Sequence, residues 1–327
     1  MKILLVGSKH KTSIEKMYFE AFKSQKKKIF FLNFKSFIEF NLIEKIFFKL
    51  FPNFFSFTNF KKLKKELINK NITHLILFNS GNLEKYYLEY LKKNYNYLYL
   101  INILSDNPFW NIEQNQKENV KKELILYDQV FSWSQDIIKT YRKKNMQYLP
   151  FAFSNKYKNI LGKKKIIEKV LFFGSWDKDR EQIISKIDPK YIDIFGNNWR
   201  KANSKFKQLY NINYFELAGY ELSKKIQKYL ICLNLIRPQV KNSHNMRSFE
   251  VLGNGGILLS KSTLEHKKLF KKKIRCVFFK NEKDINQKIK FILLNKKKLI
   301  KMKFKSRKFY ENQTYFFRTK KILDKIQ

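Results

Sequence analysis

The sequence predicts an α/β protein built as two doubly wound domains in tandem. Three observations carry this. Short apolar runs bounded by turn residues recur along the 327 residues, stretches with helical spacing separate them, and a polar segment after Leu149-Pro150 interrupts the alternation before it resumes. Such alternation marks βαβ units, whose crossovers place helices on both faces of a parallel sheet. The length suits about two domains of ordinary size.

The first strand is expected at residues 3–6, where I-L-L-V is followed by Gly7 and then charge. Four apolar residues are too few for the core of a signal peptide, so the amino terminus reads as a strand. A helix over 14–24 leads to a strand at 29–32. Helical spacing over 60–70 and 83–93 brackets an apolar strand at 74–78, and further strands are expected at 97–103 and 129–133. The stretch S-N-K-Y-K-N-I-L-G-K-K-K, residues 154–165, fits an interdomain linker. Strands then follow at 169–173, 191–195, 230–235, 256–259 and 275–279, with helices between them. The expected domains are 1–152 and 153–304.

The formal charge is +42, from 69 Lys and Arg against 27 Asp and Glu, which would ordinarily suggest nucleic acid. Lys, Ile, Asn, Phe and Tyr abound, all with codons rich in A and T, whereas alanine occurs four times. A codon bias of that kind supplies lysine unaided. The lysine runs at 26–28, 163–165, 271–273 and 296–298 are also dispersed, so nucleic acid is not the expected partner. A general attraction to anionic ligands or an anionic membrane surface remains.

Cys232 and Cys276, the only two cysteines, sit in apolar runs far apart. They read as reduced, buried residues of a cytoplasmic protein, without a zinc cluster. No window holds the roughly 18 apolar residues of a membrane span. The closest, I-F-F-K-L-F-P-N-F-F-S-F at 46–57, is broken by Lys49 and Pro52. It reads as a helix and loop on a core or, as a second reading, as an interfacial patch resting on a membrane.

In open α/β sheets, ligands sit beyond the carboxyl ends of the strands. Every motif of interest falls at such a place: V-G-S-K-H-K-T-S after the first strand, S-D-N-P-F-W after the fourth, F-G-S-W-D-K-D-R-E and F-G-N-N-W in the second half, and H-N-M-R-S-F-E-V-L-G-N-G-G-I-L-L-S at 244–260. The pattern points to a ligand between the domains. The first is not a P-loop, because His10 stands where glycine must precede the Lys-Thr pair.

The stretch at 244–260 has the parts of a nucleoside diphosphate site. If a helix starts at Met246, its amide groups and dipole create an anion site at His244, Asn245 and Arg247. Arg237 and Arg247 offer forked donors to phosphate, and Glu250 lies one turn on, placed to accept from sugar hydroxyls. Gly253, Gly255 and Gly256 permit a close turn into the next strand. The competing reading is an ordinary i, i+3 surface pair of Arg247 with Glu250 and a glycine helix cap.

The segment 233–264 resembles the carboxyl-terminal half of group 1 glycosyltransferases, and more closely the CgeB-like family. The resemblance rests on Leu233-Asn234, R247-S-F-E250, G253-N-G-G256 and I257-L-L-S260. It continues through F-F-G-S-W-D-K-D-R-E (172–181), F-G-N-N-W (195–199), C-V-F-F-K-N-E-K-D-I (276–285) and Q-T-Y-F-F-R-T-K-K-I-L (313–323), and more loosely upstream to residue 97. It implies the GT-B fold, two Rossmann-like doubly wound domains facing across a cleft, with the final helix, about 305–327, crossing back onto the first. It implies a hexosyltransferase-like enzyme of polysaccharide biosynthesis, with a nucleotide-diphosphate sugar as donor substrate and no cofactor. The acceptor would be a glycan, a lipid-linked glycan or a protein.

By position, the resemblance makes Glu250 the ribose-binding acid and Arg180 the diphosphate-binding cation. Gly174 and Ser175 would line the phosphate pocket, and Gly196 with Asn197 would face the base. One position departs from the pattern: Asn242 stands where group 1 enzymes carry an acid, which leaves a non-catalytic nucleotide-sugar-binding protein as an alternative. Cationic and amide donors that stabilise a departing diphosphate make metal-independent transfer the expectation, and the analogy implies retention of configuration. His10 and Asp106, both after first-domain strands, are candidates near the acceptor, with loop capping as the competing role for each.

Overall fold

The computed structural model describes all residues except 36–38, 80–82, 155, 157–165, 271–274, 306 and 327. The expected linker at 154–165 and the lysine runs at 163–165 and 271–273 therefore lie largely or wholly outside the described residues. The chain forms two compact units. Unit 1 comprises Met1–Pro150 with Tyr315–Gln327, and unit 2 comprises Phe151–Thr314.

Unit 1 runs β1 (Ile3–Gly7), α1 (Ile14–Ser24), β2 (Ile29–Asn33), α2 (Leu42–Leu50), α3 (Pro52–Lys70), β3 (His74–Phe78), α4 (Lys85–Asn94), β4 (Tyr99–Leu104), α5 (Gln114–Leu124), β5 (Gln129–Ser132), α6 (Gln135–Tyr141) and β6 (Met146–Tyr148). All its strand pairs are parallel, in the order β2-β1-β3-β4-β5-β6. A central parallel strand is covered on both faces, which is why β1 is a continuous apolar run with every residue buried. Pro52, at the first turn of α3, starts that helix eight residues before the apolar spacing announces it; proline fits there because its missing N–H has no helical partner to lose.

Unit 2 runs β7 (Ile167–Phe173), α7 (Lys178–Ile184), β8 (Ile192–Phe195), α8 (Ser204–Leu209), β9 (Asn211–Asn213), α9 (Gly219–Lys228), β10 (Tyr229–Asn234), α10 (Met246–Gly253), β11 (Leu258–Lys261), α11 (Leu264–Leu269), β12 (Cys276–Phe279), α12 (Ile285–Leu294) and α13 (Lys296–Lys305). Its sheet is again parallel, in the order β12-β11-β10-β7-β8-β9. Strand order thus reverses between β7 and β10, the place where doubly wound sheets open a crevice for ligands. Under the sheet, Trp199 stacks on Phe206 and Phe206 on Tyr210, whose hydroxyl donates to the carbonyl groups of Ile184 and Ile187.

The last helix, α14 (Tyr315–Ile326), belongs to unit 1. It lies along α1, and Arg318, itself buried, donates from Nε to the Pro150 carbonyl at 2.7 Å. Among the described residues, no helix is long and apolar enough to cross a membrane.

Candidate active site

The site is built on the loops that leave β7 and β10, one on each side of the strand-order reversal. After β7 the backbone turns through Gly174 at φ 154°, a conformation that favours glycine. A β-carbon there would lie 2.6 Å from Nη2 of Arg247 and 3.5 Å from Nη1 of Arg180, so two guanidinium groups flank the turn. Arg180 donates from Nη1 to the Ser175 carbonyl at 2.5 Å, and Arg247 donates from Nε to the Phe173 carbonyl at 2.7 Å.

Asp177 organises this cluster. Its side chain caps α7 by accepting from the Arg180 amide, and its second oxygen lies 3.3 Å from Arg180 Nε and 3.3 Å from Arg237 Nη2. Arg180 is buried, Arg247 half-buried and Arg237 exposed. Burial above all, and then the neighbouring cations Arg247 and Arg237, disfavour the charge on Arg180, against the pull of Asp177. Burial also disfavours the charge on Arg247, which Glu250 favours and Arg237 opposes. Guanidinium groups stay protonated at neutral pH, so this is repulsion that an anion among them relieves.

Glu250 lies on α10 one turn beyond Arg247, with 9% of its surface exposed. Burial pushes its carboxyl up to about 7, with Arg247 pulling down and Glu216 pushing further up. Glu250 is therefore not the ordinary ion-paired surface residue that its spacing from Arg247 allowed. Across the turn, Gly196 at φ 156° backs onto Gly174, and Trp199 donates from Nε1 to the Gly174 carbonyl at 2.9 Å. Asn197, exposed, accepts the Trp176 amide on its carbonyl at 2.9 Å, which ties the β8 loop to the β7 loop.

At the expected anion site, the side chains of His244 and Asn245 are both engaged within unit 2. Asn245 caps α10: its side-chain oxygen accepts from the Ser248 amide, and it exchanges two further hydrogen bonds with Asn234 at 2.9 and 3.0 Å. His244 is fully enclosed. Its Nε2 accepts the Phe151 amide at 3.2 Å, which leaves Nδ1 to donate to Glu265 at 2.8 Å. Both side chains hold the loop and the start of the helix in place. Ser248 adds to the same lock by reaching Nε2 of His266, a buried ring that burial pushes down to about 4 and so keeps neutral. Asn242 is half-buried in the preceding loop, where its carbonyl accepts the Glu265 amide at 3.3 Å.

Asp177 and Asp179 form an Asp-x-Asp spacing, which a metal-free reading of the sequence has to accommodate. Asp177 is committed to the helix cap and two arginines, while Asp179 is exposed. Among the described residues, no group of three His, Cys, Asp or Glu side chains is placed to hold a metal ion.

In unit 1, His10 and Asp106 both lie beyond the carboxyl ends of strands. His10 is half-buried, with Nδ1 2.8 Å from the Thr12 hydroxyl, and Asp106 is exposed, with its amide 3.4 Å from the Asn79 side chain. Sequence reasoning missed their carboxylate neighbours. Glu15, in the first turn of α1, packs against Gly7, and its carboxyl is raised first by burial and further by Glu39 and Asp106. Glu39 accepts from the Ser8 hydroxyl at 2.6 Å.

Residues 171–324, from within β7 into α14, match the family model described as glycosyl transferase-like. The structure itself is similar over the whole chain to an alpha-glucosyltransferase solved with UDP-glucose and DNA containing an abasic site (TM-score 0.66, 12% identity, 100% of this chain and 99% of that one). The chain has the GT-B fold. A second GT-B relative, Anabaena HepE in complex with UDP and glucose, aligns with TM-score 0.65 at 9% identity over 100% of this chain and 99% of its own. T4 phage BGT in complex with its UDP-glucose substrate aligns with TM-score 0.55 at 14% identity, over 99% of this GT-B chain and 100% of its own. No functionally curated protein matches the sequence.

Proposed function

We propose that this protein is a glycosyltransferase of the CgeB-like kind. In this reading it moves a hexosyl group from a nucleotide-diphosphate sugar to a glycan, a lipid-linked glycan or a protein, as in polysaccharide biosynthesis. The observation that carries the reading is the convergence of Arg180, Arg237 and Arg247 on the Gly174-Ser175 turn, beside the strand-order reversal of unit 2. Three cations that repel one another, with a single aspartate between two of them, match a diphosphate. Glu250, one turn from Arg247, is assigned to the ribose hydroxyls. Gly196 and Asn197 are assigned to the base side of the pocket, and Asn242 to the sugar. The UDP in the complexes of structural relatives favours a uridine nucleotide.

As the bond from the anomeric carbon to the phosphate oxygen breaks, negative charge grows on the leaving diphosphate. Arginines fixed by backbone carbonyl groups before the reaction begins stabilise that charge without reorganising. They give the diphosphate its counter-charge, which supports metal-independent transfer; retention of configuration follows from the group 1 resemblance. The acceptor is assigned to the loops of unit 1 that carry His10 and Asp106. Two buried cysteines that share no disulfide suit the cytoplasm, where we place the protein.

A panel of UDP-, GDP- and TDP-sugars tests the proposal by thermal shift and nucleotide release. Stabilisation by at least one donor with slow release of its nucleotide is expected. Binding without turnover under any acceptor would instead select the non-catalytic reading that Asn242 keeps open. No response to any sugar nucleotide would overturn both.

A further inference from the structure

We propose that the α2–α3 hairpin of unit 1 is a docking surface for an anionic lipid bilayer. Helix α2 buries none of its residues. Leu42, Ile46 and Leu50 repeat every four residues along it and form one exposed stripe, widened by Ile43 and continued on α3 by Phe54 and Phe57. Ile43 is 78% and Leu50 66% exposed, so this is a face left outside the core and not the edge of a packed one. Behind it, Phe48 packs against Phe40 and Phe55, so the hairpin has an aromatic seam of its own. Asn41 and Glu44 close a capping box at the start of α2, so the helix is formed before anything docks on it.

Charge selects the occupant. Between residues 42 and 65 stand six lysines (Lys45, Lys49, Lys61, Lys62, Lys64 and Lys65) and one acid, Glu44, which is itself paired with Lys35. Lys45 and Lys49 run in the row beside the apolar stripe, where their long stems can lie along it with the ammonium groups at phosphate level. A second copy of a chain with net charge +42 would bring like charge against like charge, which disfavours self-association through this face. An anionic bilayer satisfies both parts at once, taking the apolar stripe below its phosphates and the lysines among them.

The test is co-sedimentation of the full chain with vesicles of phosphatidylcholine and phosphatidylglycerol, compared with phosphatidylcholine alone. Binding to the anionic vesicles is expected, partly retained in high salt, and weakened about tenfold or more by Ile43→Asp with Leu50→Asp. Circular dichroism and the donor-induced thermal shift report that this variant is folded. Neither position touches the arginine cluster, so failure here leaves the donor-site reading standing. As a second measurement, a Phe54→Trp reporter should be quenched by brominated acyl chains. Absence of binding, binding that survives the double substitution, a reporter that is not quenched, or self-association that the substitutions abolish would each overturn the proposal.

Discussion

The α-carbon of Gly196 rests on the carbonyl of Gly174, so that a β-carbon added to Gly196 would fall within 2.6 Å of the Gly174 carbonyl carbon. Two backbones meet here with no side chain to yield, and φ 156° adds strain for any L residue. Gly196→Ala is expected to cost about 3 kcal/mol of stability. It should also weaken donor binding by shifting the turn between Arg180 and Arg247. Chemical unfolding and donor titration read the two effects separately.

Arg237 and Arg247 are expected to separate affinity from stability. Arg237 is exposed, with its Nη2 3.3 Å from Asp177, so Arg237→Gln should leave the melting temperature of the free protein nearly unchanged. Affinity for UDP should fall about tenfold, the size of one lost charge-assisted hydrogen bond. Arg247→Gln should cost more affinity, because it also releases the Phe173 carbonyl. Isothermal titration at two salt concentrations measures both.

Glu250 gives the free protein a pH dependence of unusual direction. Its carboxyl is raised from 4.5 to about 7, chiefly by burial. Below 4.5 the folded and unfolded forms both hold the proton. Between 4.5 and about 7 the unfolded chain ionises first, so stability falls as pH rises through that window. The loss is about 3 kcal/mol once Glu250 is charged in both states. Glu250→Gln should remove this slope from a series of unfolding curves. If the carboxylate accepts from ribose, affinity for a UDP-sugar, whose doubly esterified diphosphate does not titrate in this range, should rise with pH through about 7 in the native protein and stay flat in the variant.

Removing Tyr315–Ile326 is expected to unfold unit 1 while leaving the sheet of unit 2 formed. The helix buries Tyr315, Ile322, Leu323 and Ile326, and Tyr18 packs edge-on against Tyr315. Four such side chains contribute on the order of 5 kcal/mol or more, as much as a small domain's whole margin. Hydrogen exchange resolved by peptide should show protection lost in β1 and β3 and kept in β7 and β10.

The strands were legible because the middle of a parallel strand covered on both faces must be apolar, as residues 230–233 are. Strands β6 and β9 were not, since three residues such as Asn211–Asn213 carry no period. The start of β11 moved from 256 to Leu258 because Gly255, at φ 84°, and Gly256, whose amide returns to the Val251 carbonyl, serve the helix cap first. At the site, Gly174 and Arg247 stood out by type and place. The enclosure of His244 did not, because the amide that closes over it comes from Phe151, 93 residues away in sequence. Asp177 had a local signal, as the acid before a helical D-R-E run, but its partner Arg237 came only with the fold.

The division of the chain fixes an order of assembly during synthesis. Everything unit 2 needs, Phe151–Thr314, has been made before Tyr315 is added, whereas unit 1 waits for a closing helix, Tyr315–Ile326, that is made later still. The later-encoded unit is thus the first that can be finished, and the strands Ile3–Gly7 and His74–Phe78 must persist on the ribosome with one flank uncovered until then.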